Sequence, residues 1–224
     1  MVSFDFKSFH FSTPGYLRCT LPEEVRKEVK NTIKKISNGK IDTEDKRYTL
    51  AGHLQKETSF PITKKLKYVV EAMCCHYDDI FEMKTINNIY HPEFANQFIN
   101  RGYNFKYVLR SLWINYGKKH DFNPPHTHSG IYSFVLWVKI PYSSQDEKKM
   151  YSEANGGPKS GTFEFLYPSA NYFIQCDSIS TEEWDLVLFP AHLSHTVYPF
   201  YTSDEERISI AGNLYYEPVK VKKK

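Results

Sequence analysis

No apolar run in this chain approaches the roughly 18 residues needed to cross a bilayer as a helix, so no membrane anchor is expected. The stretch from Val2 to Phe11 mixes Asp5, Lys7 and His10 with aromatics, which is unlike a secretory leader. Cysteine is scarce. Cys19, Cys74, Cys75 and Cys176 include one adjacent pair and no CxxC, so neither a disulfide framework nor a zinc ribbon is suggested. Charge of one sign is also lacking. A formal net charge of +3 is too small to argue for nucleic acid, and the lysines are spread along solvated faces until the last few residues. Internal repeats and low-complexity segments are absent. Together these absences predict a soluble, reduced, cytoplasmic protein without a membrane partner.

Aromatics are abundant, at 16% of 224 residues, and Tyr and Phe suit strands better than helices. The length allows one domain with a sizeable core. Residues 1–19 alternate aromatic and polar side chains, as a first strand or extended lead-in would. Thr20-Leu21-Pro22-Glu23 then has the form of a capping box. Leu21, Val25, Val29, Ile33 and Ile36 follow at helical spacing, ending at Asn38-Gly39. Residues 40–60 are polar and read as a loop. A second helix from near Pro61 carries Ile62, Leu66, Val69, Val70, Met73 and Tyr77 at the same period. Nothing is assigned within 82–106.

From Tyr107 the pattern turns to strands, predicted at 109–116, 131–140, 161–167, 184–189, 196–198 and 207–216. The run 131–140 is nearly unbroken in apolar and aromatic residues, which implies burial on both faces. Short strands separated by turn signals predict a sandwich, barrel or jelly roll with helices packed on a β core, hence an α+β fold. Between them, the polar insertion 142–160 reads as a mobile loop able to serve as a lid.

The chemistry lies in three spacings. His126 and His128 stand at i and i+2, which a strand would place on one face. His195 follows the apolar run 186–189 and can close over the same ion, because imidazole is the commonest ligand for divalent iron, zinc, copper or nickel. His192 is an alternative third ligand. His10, His53, His76, His91 and His120 read as structural or exposed. Twelve residues after His195 comes Arg207-Ile208-Ser209, where a guanidinium and a hydroxyl can grip a carboxylate. The bland alternative for Arg207 is a salt bridge to Asp204, Glu205 or Glu206. Three free imidazoles would also make metal loading fall as pH drops through about 6.5.

These residues resemble the Fe(II)/2-oxoglutarate-dependent dioxygenases. Asn115-Tyr116-Gly117 followed by Pro125-His126-Thr127-His128 is similar to the prolyl-hydroxylase pattern of Asn-Tyr-Gly and then Pro-His-x-Asp. Phe189-Pro190 leading to His195 and Val197, and Arg207-Ile208-Ser209, resemble the distal histidine block and its Arg-x-Ser. Ala51-Gly52-His53 and Ser209-Ile210-Ala211-Gly212-Asn213 are similar to segments of small phage and bacterial 2-oxoglutarate oxygenases. In a phage the cytoplasm would be the host's. The resemblance implies a double-stranded β-helix (jelly-roll) core with N-terminal helices packed on one sheet. It divides a single domain, 1–224, into a helical N-terminal region (1–106), the jelly-roll core (107–218) and a basic tail (219–224).

By the same resemblance, His126, His128 and His195 hold Fe(II), Arg207 binds the far carboxylate of 2-oxoglutarate, and Ser209, Tyr116 and Asn115 assist. Dioxygen completes the set. The implied activity is hydroxylation of a protein side chain, nucleic acid or small molecule, releasing succinate and CO2. One departure stands out: His128 occupies the place of the family's usual Asp, and Asp121 is wrongly spaced to replace it. Two other readings follow from the residues. One is a cupin-like three-His dioxygenase that works without 2-oxoglutarate; the other is a non-enzymatic jelly-roll module that binds a metal or ligand.

Overall fold

The computed structural model describes residues 5–9, 15–81, 101–153, 157–168 and 173–220. Helix α1 spans Glu23–Ser37 and buries Val25 and Val29; α2 spans Lys64–Ile80 and buries Leu66, Val69, Val70, Met73, Cys74 and Tyr77. The capping box does not form. Pro22 is the N-cap, and the Thr20 hydroxyl instead donates to Asp185 Oδ1 at 3.0 Å. Asp185 is 2% exposed and also pairs with Arg18, so Thr20 is needed to satisfy that buried carboxylate more than to start the helix. At the far end, Gly39 adopts φ +67 and its N–H donates to the Ile36 carbonyl, the left-handed cap expected of Asn38-Gly39.

Eleven strands are described: β1 (Phe6–Phe9), β2 (Tyr16–Thr20), β3 (Lys56–Ser59), β4 (Tyr103–Gly117), β5 (Asn123–His126), β6 (Tyr132–Lys139), β7 (Phe163–Pro168), β8 (Ile174–Ile179), β9 (Asp185–Pro190), β10 (Ser194–Val197) and β11 (Arg207–Lys220). They form a seven-stranded antiparallel sheet, ordered β1-β2-β9-β6-β11-β4-β3, and a four-stranded sheet, ordered β5-β10-β7-β8. This is the two-sheet jelly roll of the double-stranded β-helix, in an α+β fold. Strand β6 explains its unbroken apolar sequence. Phe134, Leu136 and Val138 join the core beneath the two helices, while Val135 and Trp137 join Phe163, Phe165 and Phe189 in the other core.

Two short strands escape the periodicity argument. β3 lies within the 40–60 stretch expected to be a loop. It adds to the sheet edge beside β4, and its inward side chain is Glu57 rather than an apolar residue. β8 is an edge strand with mostly exposed side chains. The 142–160 insertion also differs from expectation. Residues Ser144–Met150 form a short helix, α3, and Glu147 on it is buried. Its carboxylate accepts from the backbone N–H groups of Tyr201 and Thr202 and from the hydroxyls of Thr202 and Ser160, at 2.5 to 2.9 Å. Four donors on one buried carboxylate tie the described residues of this insertion down. His10 and His91 lie outside the described residues, as does the tail beyond Lys220. Among the described residues, no helix is long and apolar enough to cross a membrane.

Gly212 sits mid-strand in β11, between β4 and β6. A Cβ there would lie 2.6 Å from the Ser111 carbonyl oxygen and 2.9 Å from a Phe134 ring carbon. Backbone on one side and a core ring on the other leave little to yield. Gly212→Ala is therefore expected to cost about 2–3 kcal/mol. Urea unfolding of the purified variant checks this, and an unchanged midpoint would refute it.

Candidate active site

Strand β5 reads Asn-Pro-Pro-His, and its two prolines confine it to a sheet edge, where β10 is its only described neighbour. Antiparallel register places His195 of β10 directly opposite His126. The strand ends at His126. His128 reaches the same place from the following turn, held by its backbone N–H on the Ala191 carbonyl at 2.8 Å. The i, i+2 pair thus converges, although not as two residues of one strand. Ring centroids of the three histidines are 4.3 to 5.0 Å apart, and each ring offers a nitrogen within 4.8 Å of the others. His192 is exposed and outside the cluster.

The tautomers are set by backbone. His126 Nδ1 lies 2.7 Å from the Pro124 carbonyl, and His195 Nδ1 lies 2.9 Å from that of Leu193. A carbonyl can only accept, so both Nδ1 atoms carry the proton and both Nε2 atoms keep a lone pair for a ligand. Phe163 stacks on the His195 ring at 5.3 Å and Phe189 meets it edge-on at 4.8 Å, which fixes its plane.

Burial, reinforced by the neighbouring imidazoles, drives the His195 pKa well below the usual histidine value. Burial, then the His126 charge, lowers His128 to about 4. His126 is lowered as well, again by burial, against the opposing pull of the Pro124 carbonyl. The cluster is therefore neutral at pH 7, the form that binds metal. This moves the pH dependence. Between about 6.5, the unfolded value, and about 4, the unfolded chain takes up a proton at residue 128 that the folded chain refuses. Stability of the metal-free protein should thus fall as pH drops across that window, by about 2–3 kcal/mol for His128. Metal loading should persist below 6.5, where free imidazoles would already have released it. Denaturant unfolding at pH 7.5 and 5 checks the first statement; His128→Gln should reduce the difference, leaving what His126 and His195 contribute, and an equal pH dependence in both proteins would contradict it.

Beside the histidines lies Arg207, 5% exposed at the start of β11. Its Nη1 donates to the Tyr142 hydroxyl at 3.3 Å and more weakly to the Tyr198 carbonyl, and its guanidinium lies over the Phe200 ring. Asp204 instead pairs with Lys119 and Glu205 with Lys139. Among the described residues, no carboxylate lies within ion-pair distance of Arg207. A buried, always-charged group with only neutral partners is a site for an anion. Ser209 faces the same way. Asn115, its partner across β4, donates from Nδ2 to its Oγ at 3.3 Å. One pocket is lined by all three histidines together with Arg207, Ser209, Asn115, Trp137 and Glu57.

Strand alternation removes Tyr116 from this set. Asn115 and Gly117 face the pocket, so Tyr116 points to the opposite face, into the core under the helices, with Lys56 Nζ 4.2 Å above its ring. Tyr142, in the polar insertion, supplies the hydroxyl that meets Arg207. Asp121 caps a turn, accepting from the Lys118 N–H at 2.9 Å, and is not in the metal-competent cluster. Tyr142 and Glu57 were invisible to spacing, because each comes from a segment without periodicity and meets the site only through the fold.

Residues 111–213 match the family described as "Putative 2OG-Fe(II) oxygenase". A comparison with curated proteins finds no match. Similar solved structures include a Pseudomonas putida prolyl-4-hydroxylase (14% identity, 91% of this chain and 94% of that one, TM-score 0.49). Another is a Trichoplax adhaerens prolyl hydroxylase in complex with a hypoxia inducible factor peptide (14%, 92% and 84%, 0.48). A third is HygX from Streptomyces hygroscopicus with nickel, 2-oxoglutarate and hygromycin B bound (11%, 93% and 85%, 0.48). The matched segment runs from within β4 to within β11 and contains His126, His128, His195, Arg207 and Ser209. Through it, residues 111–213 of this chain are similar to the Fe(II)/2-oxoglutarate-dependent oxygenases.

Proposed function

We propose that the chain, acting as one unit, hydroxylates a C–H bond of its substrate at the expense of dioxygen and 2-oxoglutarate. The observation that carries this is the buried guanidinium of Arg207, unpaired among the described residues, in the same pocket as three neutral, metal-competent histidines. His126, His128 and His195 would hold Fe(II), the first and last through Nε2. Bound iron and 2-oxoglutarate supply dioxygen activation, with oxidative decarboxylation to succinate and CO2. The protein's own contribution is placement. The Pro124 and Leu193 carbonyls hold two rings in the ligating tautomer. Arg207 takes the far carboxylate of 2-oxoglutarate, with Ser209 and Asn115 adding polar contacts and Tyr142 steadying the guanidinium. Val135, Trp137, Phe163 and Phe189 form apolar walls that limit water.

His128 in place of a carboxylate makes the ligand set more positive by one charge, which favours an anionic cosubstrate. The same three-histidine set suits a dioxygenase that needs no 2-oxoglutarate, and Arg207 distinguishes the two. Aerobic incubation with Fe(II), ascorbate and 2-oxoglutarate should yield succinate by NMR, and Arg207→Ala should yield none. Iron-dependent oxygen uptake that ignores both 2-oxoglutarate and Arg207→Ala would establish the other chemistry instead.

A further inference from the structure

Glu57 has no role in the chemistry above, and it lies outside the family-matched segment 111–213. It is 0% exposed and lines the same pocket. Among the described residues, neither of its carboxylate oxygens has a hydrogen-bond partner. Asn115, paired directly opposite it across β3 and β4, has Nδ2 engaged by Ser209, while its buried Oδ1 is likewise without a donor. Three acceptor atoms on adjacent strands therefore lack donors in one pocket. Directly paired strand residues have side chains within about 5 Å of each other at Cβ, so one ligand group can reach both.

Local cations do not resolve this. Lys56, next in sequence, is on the other face of the sheet over Tyr116. Arg47 is engaged with Asp45. Burial, then the charges of Asp45 and Asp121, outweighs Arg47 and pushes the Glu57 carboxyl up to about 7. The arrangement is also tight. A Cβ on Gly52 would lie 2.5 Å from Glu57 Oε1 and 2.4 Å from Leu54 Cδ1, so a side chain at 52 would have to displace these side-chain ends. A buried carboxylate that folding leaves without a donor suits a ligand that brings donors with it. An anionic cosubstrate gains nothing from unpaired acceptor atoms and is drawn to Arg207 instead.

We propose that Glu57 and Asn115 form the substrate subsite of this oxygenase, receiving a cationic N–H-bearing group, an ammonium or a guanidinium, of the molecule to be oxidised. The subsite itself rests only on Glu57 and Asn115; its assignment to the substrate rests on the oxygenase reading. Glu57 is here a specificity-determining residue, and the substrate class is that of amines or guanidines. Two buried side chains without counter-ions among the described residues then sort two ligands within one pocket, the dicarboxylate to Arg207 and the cation to Glu57.

The test uses n-butylammonium and n-butylguanidinium as probes, with n-butanol as the uncharged control. Saturation-transfer NMR is run on the full chain, metal-free and again loaded with Mn(II) and 2-oxoglutarate, whose own binding is followed in parallel. The cations should bind wild type at least tenfold tighter than n-butanol, and Mn(II) should broaden their resonances. Glu57→Gln, nearly isosteric, should lose that tenfold preference while n-butanol binding is unchanged. Wild type showing no preference for cations would overturn the proposal without recourse to any variant, and a preference that survives in Glu57→Gln would overturn it too. If 2-oxoglutarate fails to bind while the preference and its loss in Glu57→Gln both hold, the cation subsite stands and the oxygenase reading falls.

Discussion

His195→Ala is expected to abolish stable metal binding. Structural metal sites gain about 10–16 kcal/mol from four ligands, so one imidazole accounts for about 3 kcal/mol, or on the order of a hundredfold in affinity. His195 should exceed that share. It is 3% exposed, its proton is placed by the Leu193 carbonyl, and Phe163 and Phe189 hold its ring. A neighbouring water can replace the lost ligand only if it enters a space walled by those rings. The void should also cost about 2–4 kcal/mol of stability. His192→Ala is the control, since that ring is exposed and outside the cluster; it should bind metal like wild type. Calorimetric titration with Co(II) or Fe(II) reads both variants. If His195→Ala bound metal as well as His192→Ala, the cluster would not be a metal site.

Arg207→Ala is expected to weaken 2-oxoglutarate binding by about two to three orders of magnitude. Breaking a buried charge pair by removing one partner typically costs 3–5 kcal/mol, and each 1.4 kcal/mol is tenfold. Unlike most core truncations, this one should leave the free protein about as stable as wild type. The guanidinium has no described counter-ion to orphan, and its contacts are the Tyr142 hydroxyl, the Tyr198 carbonyl and the Phe200 ring. Arg207→Lys keeps the charge but loses the planar fork, so it should fall between the two. Titration of 2-oxoglutarate into the metal-loaded proteins gives the ranking. Equal affinity in all three would remove Arg207 from the site.

Much of the fold and some of the site could be read in the sequence. The helical stripes of α1 and α2 and the dense apolar run of β6 announced themselves because a large buried face dictates their side chains. His126, His128 and His195 were legible as a set through their place beside strand signals, and the structure brings them together. What failed to show follows a pattern. Thr20 was taken by Asp185 rather than by the helix end, a competition between a local cap and a distant buried carboxylate. Tyr116 was adjacent to pocket residues in sequence but on the wrong face, since the period of two that helps Asn115 and Gly117 excludes it. Glu57 and Tyr142 sit in polar stretches where no periodicity exists to mark a direction, and only strand register and the anchored insertion bring them in.

The measurement that bears most directly on the site is anaerobic addition of Fe(II), then 2-oxoglutarate, with absorbance followed in the visible range. Wild type should develop the metal-to-ligand charge-transfer band of a cosubstrate chelated to iron, and Arg207→Ala should show it weakly or only at far higher 2-oxoglutarate. Iron bound by wild type with no band at saturating 2-oxoglutarate would contradict a site built from three histidines and Arg207 for that cosubstrate.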